Sequence, residues 1–216
     1  MADNQHISGF RPVKPRYGPS CIEPKYVHVA TGYQATNDGA GFSVDLNIGD
    51  PVKKVNDGSV ALALTTETVL GVIVCIKQYW DGTRLRRDVD RVPGATAWGT
   101  VWSRRTIVGI VYASDCYFEI DADSTGAPST FATWESDRGL NATHTCPGDQ
   151  TDTSKPFADA HLDISTAATT AALEWQIMEI SKTAENKDET GANWKLIVTG
   201  NLTQEAGAAA TPASGV

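Results

Sequence analysis

Four histidines, four cysteines and a short series of spaced carboxylates are the residues with which this chain could do chemistry, and their spacing sets narrow limits. Acyl-transfer hydrolysis needs a nucleophile beside a base. No G-x-S-x-G elbow is present, and His6, His28, His144 and His161 are scattered without helical or strand-paired spacing. His144 and Cys146, two apart in THTC, would make a thin zinc pattern with His161. It lacks the paired cysteines of a zinc knuckle, and the expectation is against a metal. Glu119, Asp121 and Asp123 alternate along one stretch, but no calcium loop with a closing Glu follows, so they read as a solvated acidic face. No Walker loop and no G-x-G-x-x-G occurs, so no nucleotide is implied. The expectation is a chain that is not an enzyme and holds no cofactor.

Binding chemistry is better represented. In Tyr79 to Arg91, YWDGTRLRRDVDR, Arg84, Arg86, Arg87 and Arg91 follow Trp80 within a few residues of sequence. Arginine interleaved with aromatics is the composition of interface hot spots; the plain alternative is a solvated loop paired through Asp88 and Asp90. Arg11, Lys14 and Arg16 alternate with Pro12, Pro15 and Pro19, a composition that resists helix and central strand alike. An extended arm follows, lying along an acidic neighbour or hanging as a loose terminus. The formal charge of −8 and pI near 4.9 argue against a nucleic-acid coat. No apolar run of about 18 residues exists, and MADNQHISGF has neither the basic patch nor the apolar segment of a leader, so a soluble chain without an export signal is expected.

The elements that must carry these side chains are strands. Thr106 to Ala113 is apolar on both parities, the mark of a strand buried on both faces. After Ser114-Asp115, residues Cys116, Phe118 and Ile120 share one parity while Tyr117, Glu119 and Asp121 share the other. The short turn suggests an antiparallel hairpin with the second strand polar towards water. KYVHVA from Lys25, FSVDLNI from Phe42 and SVALAL from Ser59 alternate between turn signals, of which Asn56-Asp57-Gly58 is the sharpest. Val69 to Gln78 reads as a central strand in which Gly71 marks a bulge or a close backbone approach. Ala172 to Ile180 and Trp194 to Leu202 are strands joined by a polar turn. Cys75 and Cys116 fall inside strands as small core hydrophobes, leaving only Cys21 and Cys146 as disulfide candidates.

Residues 123–165 are rich in Ser, Thr, Asp, Gly and Pro, a loop-rich insertion with one short helical turn near Phe131 to Arg138. The tail from Ala206 to Val216 has too little apolar bulk to fold alone. The expected plan is an arm over 1–21, one all-β domain over 22–205 forming an antiparallel barrel or sandwich, and an irregular tail over 206–216.

GFRPVK from Gly9, IGDPVKKV from Ile48, LGVIV from Leu70, TIVGIVYASDCYFEI, GLNA from Gly139, LDISTAATTAALEWQIMEI from Leu162 and GANWKLIVTGNLTQ from Gly191 resemble, in that order, a family of head decoration, or cement, proteins of tailed bacteriophages. The resemblance spans Gly9 to about Gln204, and its motifs are structural. The Arg-rich segment Thr83 to Arg91, the Trp98 to Trp102 stretch and the C-terminal tail depart from it. It implies a virion structural protein on the outer surface of the capsid, binding the major capsid protein at subunit seams, with neighbouring copies forming a homo-oligomer, a trimer by expectation, and with neither nucleic acid nor membrane as partner. Arg11, Lys14, Arg16, Trp80, Arg84, Arg86, Arg87 and Arg91 are the expected contacts. The competing function is a virion-surface adhesion module binding host glycan through Trp80, Trp98 and Trp102.

Overall fold

The computed structural model describes residues 9–17, 22–29, 46–55, 58–80, 84–92, 106–123, 131–145, 158, 160–182 and 194–204. Its strands run in the order β1 (Arg11–Pro15), β2 (Lys25–His28), β3 (Leu46–Asn47), β4 (Pro51–Lys54), β5 (Val60–Leu62), β6 (Gly71–Trp80), β7 (Leu85–Val89), β8 (Arg91–Val92), β9 (Ile107–Tyr112) and β10 (Cys116–Asp121). A short helix α1 (Phe131–Ser136) precedes β11 (Asn141–Thr145), β12 (His161–Ala168), β13 (Trp175–Ile180) and β14 (Lys195–Gly200). One six-stranded sheet has the order β1-β10-β14-β13-β11-β12. The second is β2-β9-β6-β4-β5, with β7 added to the far half of β6, and β3 pairs with β8. The fold is all-β and antiparallel, and of the two expected architectures it takes the sandwich: Val29 and Val60 touch in one parallel bridge without closing a barrel.

Two apolar clusters explain why this sequence is organised around β9. Val111 and Ala113, with Val72 and Val69, face the first sheet and pack on Phe118, Ile120, Leu196, Val198, Trp175 and Ile177. Val108 and Ile110, with Ile73 and Ile76, face the other way against Leu46, Val52, Leu62 and Val92. The central strand is therefore buried on both faces, as its double apolar parity requires. Gly71 is needed where β6 crosses β9, because a Cβ there would stand 2.4 Å from the Val111 carbonyl oxygen.

Several expectations are corrected. β9 and β10 are not a hairpin: the turn closed by Asp115 N–H to the Tyr112 carbonyl, at 3.1 Å, sends the chain from the second sheet into the first. A tight turn permits antiparallel pairing but does not compel it when each strand finds longer apolar partners elsewhere; β9 lies between β2 and β6, and β10 between β1 and β14. Residues 141–145 and the start of 161–168, read as part of an insertion over 123–165, belong to two strands of the first sheet. Their Thr- and Ala-rich sequences hide the alternation that carries Ala142 and His144, then Leu162 and Ile164, into the interior. The short helix does form, held by Trp134 stacked on Trp194 at 5.6 Å, since six residues are far too few to be helical alone.

The arm is the largest departure. Its residues Arg11–Pro15 do extend, but along the chain's own β10, with Arg11 opposite Glu119 and Pro15 opposite Cys116. Phe10 is 2% exposed and lies on the Trp175 ring at 4.2 Å, with Phe118 edge-on at 6.3 Å. Gly9 makes that entry feasible. Its φ is +85°, and a Cβ would come within 2.6 Å of the Ala158 Cβ and 2.9 Å of the Gly49 oxygen. The Phe10 amide then donates to the same Gly49 carbonyl at 2.9 Å. Replacing Phe10 by Ala should therefore cost roughly 3–5 kcal/mol in denaturant melts. A loss below about 1 kcal/mol would show that the segment is an appendage after all.

Candidate functional site

The eight basic and aromatic residues expected to bind a partner fall into two separate groups. Arg11, Lys14 and Arg16 lie on or just after β1, at the edge of the first sheet. Pro12 and Pro15 deny this edge two amide donors, which suits an outermost strand and discourages further strand addition. The cations are already engaged within the chain. Arg11 Nη2 donates to Glu119 Oε1 at 2.7 Å, Lys14 Nζ reaches Glu179 Oε1 at 3.2 Å and lies 4.8 Å from the Tyr117 ring centroid, and Arg16 stacks on Tyr17 at 5.5 Å.

Arg84, Arg86 and Arg87 belong to a second feature, a β6–β7 hairpin in place of the expected irregular loop. Arg86 stands opposite Tyr79, Arg87 opposite Gln78 and Leu85 opposite Trp80. The β-branched and aromatic content of β6 carries its ladder past β4, and β7 covers the edge left open. Asp88 stands within β7 at φ +47° and pairs with Lys77 at 3.5 Å. Arg84, Leu85 and Arg87 are exposed. Arg91 lies beyond, in β8, opposite Asn47. The two groups do not converge: β1 ends beside Asp115, next to Tyr112, whereas the hairpin runs beside Ile107, and the intervening length of β9 is roughly 17 Å. The side chain of Trp80 and all of Trp98 and Trp102 lie outside the described residues, as do Cys21, Cys146 and the tail.

The acidic strip is corrected as well. Glu119 and Asp121 are 2% and 1% exposed, not solvated. Besides Arg11, Ser181 Oγ donates to Glu119 at 2.5 Å, and Asp121 is the cross-strand partner of the equally buried Lys195. Asp123 Oδ1 accepts from the Ile164 amide at 3.4 Å. The signal missed in the sequence was Arg11, whose partner stands 108 residues away on a strand not legible as its neighbour.

His144 and His161 sit on adjacent strands but cannot share a ligand. His144 is opposite Leu162 and points into the core, while His161 is opposite Thr145, one residue out of phase. Among the described residues no three His, Cys, Asp or Glu side chains are grouped to hold a metal ion. A cleft of about 460 Å³ opens where β1 and β2 part, lined in part by Tyr17, Glu23, Lys25, Tyr112, Asp115 and Cys116. Burial pushes the Cys116 thiol up to about 11, so it stays protonated at neutral pH and is no nucleophile. No described helix is long and apolar enough to cross a membrane. Comparison with known proteins finds no matching family, no similar curated protein and no similar solved structure.

The burial of Glu119 has a measurable consequence. Glu119→Ala should destabilise by roughly 1–3 kcal/mol, because it strips Ser181 of its acceptor inside the fold. Lys14→Ala, which removes an exposed pair, should stay within about 1 kcal/mol. Urea melts of the two variants check this; equal effects would place Glu119 on a solvated face.

Proposed function

We propose that this chain is a structural, non-enzymatic component of a tailed-phage particle, seated on the outside of the capsid and bound to the major capsid protein at subunit seams. The observation that carries the proposal is the β6–β7 hairpin, which holds Arg84, Leu85 and Arg87 in the open on a paired, two-stranded support. A ladder fixes the backbone before binding, so less ordering entropy is lost on contact than a free loop would lose. Arginine is among the residues enriched at interface centres, and Leu85 adds exposed apolar area beside it. The resemblance of residues from Gly9 to Gln204 to head decoration proteins supports the same reading.

The grip differs from the one composition suggests. Phe10 fastens the β1 segment to the core, so β1 is read as a structural edge and the exposed hairpin as the primary contact. A net charge of −8 is repelled by the DNA-facing inner wall, which favours the outer surface. Binding only to assembled shells stabilises them by mass action, and neighbouring copies extend each seam contact into a multivalent one.

Replacing Arg84, Arg86 and Arg87 together by Ala should leave the protein folded and abolish its co-sedimentation with expanded heads. Lys14→Ala should co-sediment as the wild type does. Retention of full binding by the triple variant would remove the hairpin from the interface.

A further inference from the structure

We infer that the docking surface extends from the hairpin across the outer face of β7, β6, β9 and β2, with Tyr26 as its aromatic anchor and an acidic surface of the capsid subunit as its partner. The inference rests on the proposed function and names the chemistry of that same contact. Three registers define the face. His28 stands opposite Ile107, Ile107 opposite Gln78, and Gln78 opposite Arg87, which sets one row across all four strands. The adjacent row is Tyr26, Gly109 and Cys75. Val108, Ile110 and Ile76 turn the opposite way, into the second apolar cluster. Tyr79 packs on that cluster too, three positions after Ile76. The register shift between Ile76 and Gln78 supplies the odd step and leaves Lys77 and Gln78 facing outwards.

Gly109 gives this face its anchor. A Cβ there would stand 2.6 Å from Cys75 Sγ, 3.1 Å from Pro24 Cβ and 3.2 Å from Tyr26 Cε1, so only glycine lets the tyrosine lie over β9. From β6, Lys77 Nζ reaches to 5.6 Å from the Tyr26 ring centroid. The ring is therefore packed along one side, yet Tyr26 is 54% exposed. An aromatic side chain held in place before contact loses little rotamer freedom on binding, and tyrosine, like arginine, is enriched at interface centres.

The charges on the face select the partner. His28, Lys77 and Arg87 are all exposed on it, and Asp88 is the carboxylate beside them, bound by Lys77 at 3.5 Å. The chain as a whole has a net charge of −8. An acidic partner is repelled by that total and attracted by this face, which orients the docking and excludes other approaches. Tyr26 and His28 lie three strand spacings from β7, about 14 Å, so changes on β2 probe the face without touching the hairpin.

Co-sedimentation with expanded heads, with the wild type as reference, tests the inference. Tyr26→Ala and His28→Glu should each weaken binding roughly tenfold or more and leave the thermal melt unchanged. Binding of both variants at wild-type strength would overturn the inference and return the contact to the hairpin alone. Failure of the wild type itself to bind would remove the proposed function, and this inference with it. Loss of host-cell polysaccharide binding by Tyr26→Ala, with its head binding intact, would assign the face to adhesion and equally overturn the inference. Should a variant fail to fold, the wild-type thiol of Cys75 decides, since it is half-buried beside Gly109 on the same face. Its alkylation, followed by mass spectrometry, should slow severalfold on heads; an unchanged rate would overturn the inference.

Discussion

The stack of Phe10 on Trp175 is the contact on which the rest of this sandwich depends. Trp175 sits on β13, Phe118 on β10 and His144 on β11, so one ring from the start of the chain touches three strands of the first sheet. The stack forms because Gly9 has no Cβ to collide with Ala158 and Gly49, and because the Phe10 amide finds the Gly49 carbonyl beside β4. Gly49 N–H in turn donates to Ile73 on β6. A single short segment therefore pins both sheets, and the Pro-containing strand that follows needs only to lie along β10.

Much of the fold was legible because it follows from local pattern. Double parity in TIVGIV announced a strand buried twice, and Asn56-Asp57-Gly58 announced the β4–β5 hairpin. What was not legible depends on partners distant in sequence. Nothing local distinguishes a tight turn within one sheet from a tight turn between two, so β9 and β10 were paired wrongly. Glu119 looks solvated until Arg11 and Ser181 arrive from 108 and 62 residues away. β11 and β12 are rich in Thr and Ala, whose small side chains leave no hydrophobic alternation to read. The arginines of the candidate site were visible as a cluster, but their division between a β-hairpin and β8 was not.

The polar chemistry of the described residues is largely committed to the fold itself. Glu119 is bound by Arg11 and Ser181, His144 by Ala63 and Trp175, and the Cys116 thiol is held protonated by burial. Among the described residues, the β6–β7 hairpin and the β1 edge both carry exposed charge, at opposite ends of β9. Such a division suits a binding module whose body is rigid and whose contacts are peripheral. On the proposed reading it also separates two kinds of failure: damage at Phe10 or Glu119 would destabilise the body, whereas damage at Arg84 or Arg87 would leave a folded protein that no longer binds.

An averaged image of expanded heads incubated with the purified protein, resolved well enough to orient the sandwich, tests the proposed role most directly. The expected result is density on the outer surface over the seams between capsid subunits, with the β6–β7 hairpin against the shell. Bare shells, or density confined to the interior or the tail, would contradict it.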